Sequence, residues 1–116
     1  MIKRFETILM EEAFEFVRKQ DLKVRKKILQ NFRRAELQKD SKLFKKINGN
    51  IWEFRTIYYG TQYRFLAFWS TADKKRTLVI TTHGFVKKTS KIPKREIEKA
   101  ERAWVNYLKE HTNENI

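Results

Sequence analysis

IWEFRTIYYGTQYRFLAFWSTADKKRTLVITTHGF, residues 51–85, is the stretch that decides the fold. β-Branched and aromatic residues dominate it, and two short breaks divide it into three segments. Because such residues suit the pleated surface of a sheet, the pattern predicts strands over 51–59, 62–70 and 77–85. Short breaks of this kind favour antiparallel neighbours. Residues 1–8 give weaker support for a fourth strand.

Helical spacing replaces this pattern on both sides of the stretch. Before it, two apolar stripes with a break at Gln20 and Asp21 predict two helices. The stripes are Ala13, Phe14, Phe16 and Val17, and then Val24, Ile28, Phe32 and Ala35. After it, Pro93 suits a first helical position, and one apolar face is formed by Ile97, Ala100, Trp104, Tyr107 and Leu108. The order predicts an α+β domain over residues 1–116, with helices packed on an antiparallel sheet.

The charge balance predicts a polyanionic partner. Lys and Arg total 27 against 14 Asp and Glu, which gives a net charge of +13 in 116 residues. Nucleic acid, an anionic membrane and an acidic protein are the usual reasons for such an excess. No apolar run reaches the roughly 20 residues that cross a bilayer, and acidic residues interrupt any export signal, so we expect a cytoplasmic protein. The absence of cysteine excludes disulfides, thiolate metal sites and cysteine nucleophiles.

Two arginines lie inside predicted strands, where side chains are less free than on a helix surface. Alternation puts Arg55 on the face of Glu53, and Arg64 on the face of Leu66 and Phe68. Arg55 is either a same-face partner of Glu53 or a phosphate ligand. Arg64 is either a snorkelling residue whose stem covers apolar surface or a second phosphate ligand. The cations of the predicted helices are either a solvated face or part of an electrostatic footprint.

A cationic run, HGFVKKTSKIPKR at residues 83–95, begins at the end of the third predicted strand. The histidine at its start is either structural or part of a site, and with no cysteine and one other histidine we expect no metal. RNA carries its own nucleophile, the 2′-OH, so cleavage needs only proton transfer and cations that stabilise the phosphorane. The residues that provide these groups are Arg55, Arg64, His83, Lys87 and Lys88.

Four ordered blocks of the sequence resemble the HigB-like branch of the RelE/ParE toxin superfamily. They are Lys45 to Arg55, Tyr63-Arg64, His83 to Thr89 and Pro93 to Ile97, within a resemblance that spans residues 10–108. The resemblance implies a RelE-like fold, in which two N-terminal helices pack on a small twisted, mainly antiparallel sheet and a C-terminal helix follows.

The same resemblance implies the toxin of a type II toxin-antitoxin pair, a ribosome-dependent mRNA endonuclease without a cofactor. It places Arg55, Arg64 and either Lys87 or Lys88 where such toxins have basic residues that face the scissile phosphate. We predict catalysis by the five residues named above. We predict RNA binding by Lys45, Lys46, Lys91, Lys94 and Arg95. The implied partners are a HigA-like helix-turn-helix antitoxin, the ribosome and mRNA, with DNA reached only through the antitoxin complex.

One departure from the superfamily concerns the base. RelE toxins have a lysine-x-lysine pair where Glu53 and Arg55 stand here, which leaves the general base to His83 or Lys87. Tyr107 lies on an apolar helix face, so we expect it in the core.

Two other functions stay open: a ParE-like toxin that inhibits gyrase, and a non-catalytic nucleic-acid-binding module. The histidine and lysine cluster argues against the first, because binding alone would not require it.

Overall fold

The computed structural model describes residues 2–113, so Met1 of the predicted first strand and the last three residues of the predicted domain lie outside the described residues. Three helices and a five-stranded mixed sheet form an α+β fold, which is compatible with a RelE-like arrangement. In chain order the elements are β1 (Glu6–Leu9), α1 (Glu11–Arg18), α2 (Leu22–Leu37), β2 (Phe44–Asn48), β3 (Ile51–Tyr58), β4 (Thr61–Ser70), β5 (Leu78–Lys87) and α3 (Lys94–Asn113).

The sheet has the strand order β1-β5-β4-β3-β2. β1 precedes the helices and pairs parallel to β5, whereas the other neighbours are antiparallel. The sequence pattern did not predict β2, whose lysines mask its strand character. Its signal was the Gly49-Asn50 dipeptide between β2 and β3, since a two-residue turn that begins with glycine is typical of tight hairpins. Charged residues such as Lys45 and Lys46 also protect an edge strand from pairing with another chain.

The helices lie on both faces of the sheet. α1 and α2 cover one face, where Phe32 packs edge-on against Phe54 and Phe65 at ring-centroid distances of 4.7 and 5.1 Å. α3 covers part of the other face, where Ala100 packs with Leu66. Phe65 and Leu66 are consecutive strand residues and so point to opposite faces. Within residues 2–113 no helix is both long and apolar enough to cross a membrane.

Several predicted details are corrected by the structure. Phe14 and Leu108 are 53% and 43% exposed and do not belong to the buried stripes. α3 begins at Lys94, one residue after Pro93. The third predicted strand continues to Lys87, two residues beyond its predicted end. The predicted core position of Tyr107 is confirmed, since its ring packs on Phe68 and its hydroxyl lies 2.7 Å from Ser70 Oγ.

Gly84 allows α1 to approach β5 closely. A Cβ built at this position would lie 2.6 Å from Phe16 Cδ1 and 2.6 Å from Phe65 Cε2. We expect Gly84→Ala to lower the free energy of unfolding by about 1–3 kcal/mol, because the rings must move to admit a methyl group. Urea denaturation measures this loss. In a Phe16→Leu background the loss should be smaller, and an equal loss in both backgrounds would contradict the proposed clash.

Candidate active site

Part of the sheet face that carries α3 remains uncovered near the β3–β4 hairpin. The register places Arg55 opposite Arg64 and Ile57 opposite Gln62, and it continues from Gln62 to Lys87 on β5. Side chains in these positions alternate with those that face α1 and α2. We call this surface the open face and define it by Glu53, Arg55, Ile57, Gln62, Arg64 and Lys87.

One buried carboxylate holds two guanidinium groups on the open face. Glu53 is 2% exposed. Its Oε1 lies 3.4 Å from Arg55 Nε, and its Oε2 lies 3.4 Å from Arg64 Nε. The predicted pairing of Arg55 with Glu53 is therefore confirmed. Like charges directly opposite each other in a sheet destabilise it, so Glu53 offsets the repulsion between the facing arginines.

Arg64 lies deeper than the sequence predicted. The residue is fully buried, so it does not snorkel towards solvent. Its Nη2 donates to Gln62 Oε1 at 2.6 Å, while Nη1 is buried and has no hydrogen-bond partner among the residues described. Burial lowers the pKa of Arg64; the charge of Glu53 acts against that shift and the charge of Arg55 adds to it. The assignment of Arg64 as a phosphate ligand stays a prediction.

Arg55 is the accessible member of the pair. Its side chain is 28% exposed, against 1% for that of Arg64. Because Nε of the guanidinium lies against Glu53, the other N–H donors are partly oriented and lose less side-chain freedom on binding. A planar guanidinium presented in this way suits a phosphate group, which it can bind through two parallel hydrogen bonds.

His83 lies inside β5 and not at its end. The register of β4 and β5 shifts between Leu66, which pairs with His83, and Ala67, which pairs with Thr81. Thr82 is thus the extra residue of a β-bulge, a device that redirects side chains. His83 is 3% exposed, with Nδ1 2.8 Å from Thr82 Oγ1 and Nε2 3.2 Å from Glu96 Oε1 on α3. Both ring nitrogens are therefore engaged within the fold, and the predicted catalytic role stays a prediction.

The environment of His83 disfavours its charged form. Burial lowers its pKa below the ordinary value of 6.5, the charge of Lys99 acts in the same direction, and Glu96 and Glu12 act against it. A histidine with a lowered folded-state pKa binds its proton less readily than it does in the unfolded chain. Its contribution to stability is therefore complete above its ordinary pKa and is lost as the pH falls through the lowered folded-state value.

We expect the free energy of unfolding to decrease on acidification from about pH 7 to pH 5. Urea denaturation of the wild type and of His83→Gln across this range measures the effect, because the difference between them removes the other titrating groups. The gap between the two proteins should narrow as the pH falls. A gap that widens at low pH would show that His83 is stabilised in its charged form.

The remaining predicted site residues divide into three groups. Lys87 is half-buried at the end of β5 on the open face, and Lys88 follows it exposed. Lys45 pairs with Glu53 and so shares its face, whereas Lys46 pairs with Trp52 and points to the opposite face. The others are exposed in the loop before α3 or in its first turn: Lys91, Lys94 and Arg95. The structure therefore brings Lys45 and Lys87 to the arginine pair and separates Lys46 from it.

Three contacts of the site were not predicted from the sequence: those of Arg64 with Gln62, of Arg64 with Glu53, and of His83 with Glu96. The first could have been found from the two-residue period, because Gln62 and Arg64 share a face, whereas the second depends on the register between two strands. Glu96 had no such signal, since its contact joins a helix to a strand.

Comparison with known proteins identifies the family of the chain. The model of the family described as phage-derived protein Gp49-like (DUF891) matches residues 15–105. The chain belongs to the Gp49-like family. This phage-derived family is RelE/toxin-like, so the protein is toxin-like. No curated protein and no solved structure gave a significant match.

The Gp49-like match covers the whole open face. Its limits include α2, the four strands β2 to β5 and the first half of α3, and they exclude β1. The buried Glu53, its two arginines and the His83–Glu96 contact therefore all lie in the part of the chain that the family shares.

Proposed function

We propose that this Gp49-like protein is a ribosome-dependent mRNA endonuclease, the HigB-like toxin of a type II toxin-antitoxin pair. The observation that supports this function best is the guanidinium pair of Arg55 and Arg64, held by the buried carboxylate of Glu53 on an uncovered sheet face. Burying Glu53 and Arg64 costs desolvation energy, and such departures from apolar packing are expected at functional sites. Stabilising the charge of a phosphorane is a use that needs such pre-orientation.

The chemistry assigns a role to each group of the open face. The 2′-OH of the nucleotide loses its proton to water and attacks the adjacent phosphate in line. A P–O bond to the 2′ oxygen forms, which closes a 2′,3′-cyclic phosphate, while the P–O bond to the 5′ oxygen breaks. Arg55 donates hydrogen bonds to the phosphate oxygens as charge develops there. Lys87 provides a second cation and a proton for the leaving 5′ oxygen. Glu53 forms ion pairs with Arg55 and Arg64, and Gln62 accepts a hydrogen bond from Arg64, so these contacts orient both guanidinium groups.

The charge of the protein supports the same proposal. A net charge of +13 favours ribosomal RNA as a docking surface, and the ribosome would align the mRNA for the open face. A HigA-like helix-turn-helix antitoxin would neutralise the toxin and carry the pair to DNA, and all of these partners are cytoplasmic.

The test adds the purified protein to a translating ribosome system and maps the 5′ ends of the mRNA, beside the same mRNA without ribosomes. We expect new ends at the codon in the ribosomal A site, and none in naked mRNA. Intact mRNA at a high excess of protein would reject the proposal. In that case inhibition of gyrase by the same preparation would favour a ParE-like toxin.

A further inference from the structure

The tip of the β3–β4 hairpin carries a tyrosine in a conformation that disfavours tyrosine. Tyr58 pairs with Thr61, so Tyr59 and Gly60 form a two-residue turn, with φ values of 47° and 80°. Two positive φ values identify a type I′ turn, in which Asn-Gly is strongly preferred and a bulky residue at the first position is strained. Local stability therefore does not explain the presence of Tyr59.

Packing does not explain it either. Tyr59 is 92% exposed. Its only aromatic contact among the described residues is with the neighbouring Tyr58, whose ring centroid lies 4.7 Å away at an interplanar angle of 79°. A side chain so exposed contributes little buried area to the fold. A strained and exposed aromatic residue at a hairpin tip points to a contact with another molecule.

The neighbours of Tyr59 indicate the chemistry of that molecule. Ile57 is 58% exposed on the open face, two residues before the tip and two residues after Arg55. The tip is four residues from Arg55, which corresponds to roughly 13 Å along an extended strand. Across the sheet, Lys87 faces Gln62, and Lys88 follows. Cations next to an exposed aromatic surface match single-stranded nucleic acid, in which phosphates alternate with stackable bases.

We propose that Tyr59 is a stacking platform for an unpaired RNA base next to the phosphate that Arg55 binds. The inference rests on the proposed RNA substrate and adds a base contact to it. Stacking accepts any base, because each has an aromatic face. The hairpin tip thus strengthens binding without selecting a sequence, and it holds the RNA strand along the open face.

Tyr59→Asn tests this role because the turn geometry predicts unchanged or higher stability, whereas the stacking role predicts weaker RNA binding. Asn is favoured in the left-handed region, so the variant should melt at the same temperature as the wild type or higher. It should nevertheless bind a fluorescent single-stranded oligoadenylate RNA roughly 5- to 150-fold more weakly at low salt. Tyr59→Phe keeps the aromatic face and should bind like the wild type.

A strand of the same length that lacks bases separates stacking from charge. The wild type should bind oligoadenylate more tightly than this abasic ribose-phosphate strand, and Tyr59→Asn should bind both equally. Wild-type affinity that does not depend on bases would overturn the inference. So would unchanged RNA affinity in Tyr59→Asn, which would assign the tip to a protein partner. The assay needs no cleavage, so a failure of the proposed endonuclease activity remains distinguishable from a failure of stacking.

Discussion

Replacing Arg55 by alanine should reduce the rate of ribosome-dependent mRNA cleavage by about 10²- to 10³-fold, the usual cost of removing one pre-oriented donor from a developing anion. Arg55 is the partly exposed guanidinium of the pair. It forms an ion pair with the buried Glu53 and remains accessible to a substrate. The measurement is the single-turnover cleavage rate at saturating protein, which reports the chemical step and not docking.

The matched control is Arg102→Ala. Arg102 is exposed on α3 beside Glu98 and Glu101, so its loss removes the same charge at a distance from the open face. This variant should cleave like the wild type. Arg55→Lys should recover only part of the rate, because an ammonium cannot bind a phosphate through two parallel donors. Equal rates for Arg55→Ala and Arg102→Ala would exclude Arg55 from the chemistry. Weaker ribosome binding by Arg55→Ala without any cleavage by the wild type would favour a non-catalytic binding module.

Replacing Glu53 by glutamine should lower the free energy of unfolding by about 3–5 kcal/mol, which is the range for breaking a buried ion pair by removing one partner. The substitution preserves side-chain volume but leaves the fully buried guanidinium of Arg64 without a carboxylate. It also removes the charge that offsets the repulsion between Arg64 and the facing Arg55. Urea denaturation near pH 7 measures the loss.

Two further variants separate buried charge from general disruption. Glu98→Gln breaks a surface pair, in which Lys94 Nζ lies 3.9 Å from Glu98 Oε1, and should change stability by less than about 1 kcal/mol. The double variant Glu53→Gln with Arg64→Met removes the unpaired buried charge and should be more stable than Glu53→Gln alone. A double variant that is less stable than the single one would show that Arg64 stabilises the fold independently of Glu53.

The fold could be predicted where a pattern repeats along the chain. β3 to β5 were identified by their β-branched and aromatic composition, and α2 by its helical period, because α2 buries one face against the sheet. β2 escaped because an edge strand buries little, and Lys45 and Lys46 conceal its alternation. The parallel pairing of β1 with β5 joins segments about 70 residues apart, as in the partners Glu6 and Leu78, and local pattern carries no signal for such a contact.

By itself the sequence determined which residue types the site contains and which side chains share a face of the sheet. It determined that Arg55 shares a face with Glu53, that Arg64 lies on the neighbouring strand, and that the protein carries a large positive charge. Only the tertiary structure decided which arginine is accessible. Alternation assigns a side chain to a face, but burial depends on what covers that face. The bulge at Thr82 and the packing of α3 likewise turned His83 towards Glu96, because the position of a helix over a sheet depends on packing between distant segments.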